Sequence, residues 1–242
     1  MLKLSFTIFS ALVFALPAFS QAPSLLTPID KVDPAAHAWA QAERARNAAI
    51  TRSSFVEVHV RELMSLRSSK IEKLTMGLSL PGKFWLVEFE RSQPSLKHEI
   101  FEGRIAGIES QVMLAIDPAG VTAGSLQIED KTYALGYSGT GKTHVLQTLD
   151  QTRYKPCATD HRHAVDAGPE SETPNPPNQG PAASAVSILD VCVFYTPRAK
   201  STGGGKAAIE SQLALRIANA AKSCNTSGVQ ARFRLVYLAE TN

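Results

Sequence analysis

A chain of 242 residues suits one large domain or two small ones, and 44 % hydrophobic with 19 % charged residues is the balance of an ordinary soluble globular protein. A formal net charge of +3, without any block of like charges, leaves no electrostatic footprint for a nucleic-acid partner. Beyond the N-terminal stretch, no run is long and apolar enough to cross a membrane, so no membrane contact is expected once that stretch is removed.

Residues 1–20 read as a secretory signal peptide. Lys3 supplies the positive start, residues 6–16 form an apolar run too short to span a bilayer, and Pro17 breaks it. Ala18-Phe19-Ser20 places small residues where a signal peptidase reads, so cleavage after Ser20 and a secreted or periplasmic address are expected. Cys157, Cys192 and Cys224 then remain in an oxidising compartment, an odd set that leaves at least one thiol unpaired. Cys192 lies in an apolar run and is expected to be buried; the pairing of the three stays open.

Residues 21–34 are loop-like, and the alanine-rich run 35–50 reads as a helix. From Phe55-Val-Glu-Val-His-Val60 onward the pattern alternates. Half-buried strands are expected at 55–60, 74–80, 84–90, 99–105, 111–116, 121–128 and 131–137. Turn chemistry separates them, as at Pro81-Gly82 and Asp117-Pro-Ala-Gly120. Short strands at this spacing predict an antiparallel β-sandwich or barrel of roughly 100 residues.

Residues 164–185 carry Pro169, Pro174, Pro176, Pro177 and Pro181 among Gly, Ser, Asn and Glu, a linker open to proteolysis. After it the run 188–195 is nearly all apolar, as in a strand covered on both faces. Ser201-Thr-Gly-Gly-Gly205 breaks it, and a helix opens near Lys206 with Ile209, Leu213, Ile217, Ala220 and Ala221 on one face. Asn225-Thr-Ser-Gly228 ends the helix, and Val229, Ala231, Phe233 and Leu235 alternate in a second strand. Strand, crossover helix and strand form one parallel βαβ unit with open edges.

Three short motifs bear on chemistry. Gly136-Tyr-Ser-Gly-Thr-Gly141-Lys142-Thr143 matches the phosphate-cradling pattern G-x-x-x-x-G-K-[ST], but it follows a half-exposed strand and lacks helix-start signals. A glycine-rich hairpin turn is therefore expected, and no nucleotide. His98-Glu-Ile-Phe-Glu102 is a near miss to H-E-x-x-H; as a strand its ends lie roughly 13 Å apart, too far to share a metal. Cys157-Ala-Thr-Asp-His161-Arg-His163 has zinc-type ligands on a loop, which reads equally as the solvated start of the linker.

Asp190-Val-Cys-Val-Phe-Tyr-Thr-Pro197, Ala207-Ala-Ile-Glu210, Leu213 through Ala220, Ser227-Gly-Val229 and Arg232-Phe-Arg-Leu-Val-Tyr-Leu-Ala-Glu240 together resemble the opening of the catalytic domain in bacterial, reprolysin-like metzincins. That group includes the peptidyl-Asp metalloendopeptidases. The resemblance covers about a fifth of the chain, and Phe101-Glu-Gly-Arg104 and Gly124-Ser-Leu-Gln-Ile128, leading into Tyr133, resemble the family's pro-region.

The resemblance implies a signal peptide (1–20), an N-terminal pro-segment with a helix (21–54) and a β-rich pro-domain (55–150). A Pro-rich linker (151–186) and the truncated start of a metzincin-like α/β catalytic domain (187–242) follow. It also implies zinc as the cofactor of the complete enzyme and a protein or peptide substrate. The family's zinc motif, H-E-x-x-H-x-x-G-x-x-H, matches none of His37, His59, His98, His144, His161 and His163, so no catalytic residue is assigned and no activity is expected of these residues alone. Cys157 is the candidate inhibitory zinc ligand of the pro-region, although Lys155-Pro156-Cys157 lacks the glycine that often follows such a cysteine. The alternative is a secreted, non-catalytic β-domain that binds or inhibits a protein partner.

Overall fold

The computed structural model describes residues 22–67, 71–154 and 187–241. The signal peptide, the linker from residue 155 on, and Cys157, His161 and His163 lie outside the described residues; residues 151–153 form a 3-10 turn after the barrel. A short strand β1 (Leu26–Pro28) leads to helix α1 (Pro34–Arg46), which Asp33 caps by accepting from the Ala35 N–H, with Pro34 in the first turn. Strand β2 (Ile50–Val58) and a one-turn helix α2 (Arg61–Ser65) follow. Seven more strands come next: β3 (Lys73–Leu80), β4 (Lys83–Arg91), β5 (Glu99–Arg104), β6 (Ser110–Ile116), β7 (Thr122–Ile128), β8 (Lys131–Tyr137) and β9 (Thr143–Leu149). The expected helix 35–50 stops at Arg46, because Ile50 already pairs with Leu149 of β9.

These strands form one nine-stranded antiparallel sheet in the order β1-β2-β9-β8-β7-β6-β5-β4-β3. The sheet curls until its two edges nearly meet. Just before β1, the Leu25 N–H donates to the Gly77 carbonyl (2.7 Å) and the Gly77 N–H to the Pro23 carbonyl (2.8 Å), which joins the β1 end to β3. Of the sandwich and the barrel left open by the sequence, the chain takes a near-barrel, and so covers most of the edge that an open sheet would expose. Val56, Leu78, Phe89, Phe101, Leu114 and Leu126 are among the side chains that fill its interior.

After the linker, β10 (Ser187–Tyr195) leads to a short helix α3 (Pro197–Thr202), α4 (Lys206–Thr226) and β11 (Ala231–Glu240). β10 and β11 pair in parallel, from Ser187↔Ala231 to Tyr195↔Glu240, which gives the expected βαβ unit. Two expectations fail here. β10 is not covered on both faces: Ile188, Leu189 and Phe194 are exposed, and Cys192 is an exposed free thiol rather than a buried one. And α4 does not bury Ile209, Leu213 and Ile217; the buried positions are Ala208, Glu210, Ser211, Ala214 and Leu215. Both differences have one cause, which is where α4 sits.

Phe101 is fully buried on β5 in the barrel interior. Phe101→Ala should lower unfolding stability by about 3–5 kcal/mol, from lost transfer energy and the cavity left behind. Urea denaturation of the barrel transition measures it.

Candidate functional site

The strand–helix–strand unit is seated on the outer wall of the barrel. Alternation along β5 sends Phe101 inward and Ile100 outward, and the strand register aligns Ile100 with Ala115 of β6 and Ala115 with Ala123 of β7. With Met113 of β6, these residues pack against Ala214, Leu215 and Ala218 of α4. Ala115, Ala123, Ala214 and Ala218 carry little more than a methyl group, so helix and sheet approach closely. β6 is consequently apolar on both faces, Val112 and Leu114 inward and Met113 and Ala115 outward, and all of Val112–Ile116 is buried.

Polar contacts ring this patch. Lys222 of α4 pairs with Glu102 of β5 at 2.5 Å, and the Ser211 hydroxyl donates to the Val121 carbonyl at 3.3 Å. The Trp39 indole N–H of α1 donates to the Thr202 carbonyl at 3.1 Å, and Arg46 reaches the same oxygen at 3.4 Å. Energetically the patch dominates. Full burial of Ile100, Met113 or Leu215 contributes roughly 1.5–3 kcal/mol each, against about 0–1 kcal/mol for an exposed pair. The ions set orientation.

At the N-terminal end of α4, Glu210 is buried although it carries a carboxylate. The Tyr195 hydroxyl of β10 donates to its Oε1 at 3.1 Å, Lys97 lies 2.7 Å from Oε2, and Lys206 lies 3.9 Å from Oε1. Burial first, and the Glu210 charge second, push the Tyr195 phenol up to about 12, so it stays a donor at any ordinary pH. Glu210 lies off the helix face that the spacing picks out, and no local pattern signals its burial.

The phosphate-loop match has a structural use of another kind. It forms the turn between β8 and β9, antiparallel neighbours, so no helix N-terminus follows it. Gly139 (φ +85°) lies against Gly204 (φ +89°) of the loop before α4: a Cβ on Gly204 would meet the Tyr137 carbonyl oxygen at 2.6 Å. Lys142 is exposed and pairs with Glu57 at 3.4 Å. The two glycine-rich loops let two backbones touch.

The H-E-x-x-H near miss is a strand, as expected. Glu99 pairs with Arg91 (2.7 Å) and Arg67 (3.4 Å), while Glu102 serves the α4 seat. The zinc that the resemblance implies finds no donor set: among the described residues no three His, Cys, Asp or Glu side chains converge. The described histidines are scattered. His37 packs on Phe55, His59 meets Thr27, His98 lies under the seat, and His144 is buried in the barrel wall. Among the described residues, zinc chemistry is therefore assigned to none. Cys192 and Cys224, the described cysteines, are both free.

Two outcomes follow from this geometry. Gly204→Ala forces a side chain onto the Tyr137 carbonyl at a positive φ, so α4 and β11 should become several-fold more sensitive to limited proteolysis while the barrel keeps its resistance. His144 accepts from the Thr122 N–H through Nε2 (3.1 Å) and lies against the Lys142 carbonyl through Nδ1 (3.0 Å). Burial holds its pKa down at about 4, so its share of stability is whole above about 6.5 and is lost as pH falls toward about 4. Unfolding free energies from urea denaturation should drop over that range by up to about 1.4 kcal/mol per pH unit, and His144→Gln should flatten the slope. Comparison of the chain with known protein families, with curated proteins and with solved structures returns no match.

Proposed function

We propose that the chain is the pro-region and opening catalytic segment of a secreted zinc metalloendopeptidase precursor of the reprolysin-like metzincin type. The observation that carries the reading is the seat: a β-barrel N-terminal to a proline-rich linker grips the first strand–helix–strand unit that follows the linker. A domain that holds the opening of another in place is what a pro-region has to be. The two-stranded sheet adds support. Ile188, Leu189, Phe194, Val236 and Tyr237 are exposed on β10 and β11, as on a sheet built to meet further structure.

In this reading the described residues bind and orient; none of them performs a catalytic step. The barrel holds α4 by its alanine face, Glu102 and Lys97 set its axial position through Lys222 and Glu210, and Cys157 is the proposed inhibitory thiol. The substrate would be a protein or peptide, and the address secreted or periplasmic. A second reading, a non-catalytic β-domain that binds or inhibits a protein partner, is favoured by the barrel having a hydrophobic core of its own, separate from the α4 seat.

Reading the coding DNA past the Asn242 codon in all three frames separates the two. An H-E-x-x-H-x-x-G-x-x-H is expected there, and the corresponding longer product should bind one zinc ion per chain. Absence of the motif from every frame removes the peptidase reading.

A further inference from the structure

His98 stands immediately before β5, and by alternation it continues the outward face of Ile100 and Glu102, the face on which α4 is seated. Its side chain is wholly buried, at 0 % exposure, and no hydrogen bond of proper geometry reaches either ring nitrogen. A neutral imidazole tolerates such a place. An imidazolium does not, because both N–H groups and a full charge would be left without water or acceptor.

We propose that His98 makes the seat acid-labile: uptake of one proton by its ring releases the strand–helix–strand unit from the barrel while the barrel itself stays folded. The charged groups around it decide the sign. Lys97, its neighbour in the chain, is positive and disfavours the charged ring. Glu210 of α4 and Asp117 of the turn between β6 and β7 are negative and favour the charged ring, and the backbone of Ser95 does so more weakly. Both carboxylates are already engaged. Glu210 serves Lys97, Lys206 and Tyr195, and Asp117 Oδ1 accepts from the Ala119 and Val121 N–H groups, each at 2.8 Å. Tyr195, held protonated, adds no charge.

Burial is accordingly the largest influence on the ring and Lys97 the next, and both hold its pKa below the ordinary 6.5. The seated state then prefers the neutral ring. Docking is at full strength above about 6.5 and weakens as pH falls through and below that value, by at most tenfold per pH unit for one proton. His144, beyond Thr122 on the far side of the seat, is the other described histidine able to act there and needs its own control.

The inference goes beyond the peptidase reading and does not rest on it, since it concerns only how two described parts of this chain hold together. Hydrogen exchange of the full chain between pH 7.5 and 5.5, corrected for intrinsic exchange rates, tests it. The expected result is that α4 amides lose protection by up to tenfold per pH unit below about 6.5 while β7 and β8 amides keep theirs. His98→Gln should abolish the loss, and His144→Gln should leave it.

A flat α4 profile in the wild-type chain overturns the proposal. So does an equal loss in His98→Gln, or a loss that only His144→Gln removes. Should His98→Gln fail to fold, NMR titration of the wild-type His98 ring decides. A ring that titrates below 6.5, in step with α4 release, supports the switch. A ring that titrates at or above 6.5 overturns it.

Discussion

Close approach between α4 and the barrel wall depends on methyl groups. Ile100, Ala115 and Ala123 make one row across β5, β6 and β7, and Ala214, Leu215 and Ala218 lie against it. A larger side chain at Ala115 or Ala123 would hold the helix off, and the ring of polar contacts would then have nothing to orient. The Lys222–Glu102 pair, the Ser211 bond and the Trp39 bond to Thr202 all need the helix at this height. So does the backbone contact of Gly204 with the β8–β9 turn.

The βαβ unit needs that support for a physical reason. Two parallel strands and one helix enclose no layered core, and several of their large apolar side chains face water. The unit is ordered because α4 borrows a second layer from the barrel. In return, the barrel's outer wall, apolar on β6 where a solvated wall would be polar, is covered. Each part completes the burial of the other, which is the physical content of the pro-region reading.

Buried charge at the edge of the seat gives it a direction of response. Glu210 is ion-paired with Lys97 and accepts from Tyr195, although its Oε2 has no hydrogen bond of proper geometry, whereas both ring nitrogens of His98 are buried with neither an ion pair nor a hydrogen bond. The apolar patch is nearly indifferent to pH, so the proposed acid response of the seat lies with this side chain. Neutral, it carries only the penalty of unmade hydrogen bonds; charged, it would add that of an unpaired buried charge.

The sequence by itself determined seven of the nine strands of the barrel, β2 to β8, because one face of each meets a core and alternation records that directly; β9, with Thr143–Gln147 all buried, does not alternate and was not among them. It determined the strand–helix–strand order after the linker from an apolar run, a helical spacing and a second alternation, and it identified Gly136-Tyr-Ser-Gly-Thr-Gly141 as a turn. It could not place the seat. Periodicity reports that a face is covered, not by what, so the run Val112–Ile116, covered by the barrel core on one side and α4 on the other, was read as half-buried. The run in β10 was read as doubly covered, yet it is exposed. β1, α2 and α3 carry too few residues for a period to emerge. The burial of Glu210 and His98 was decided only when two segments more than a hundred residues apart came together, since the energy of a charge depends on its surroundings in space and not on its neighbours in the chain.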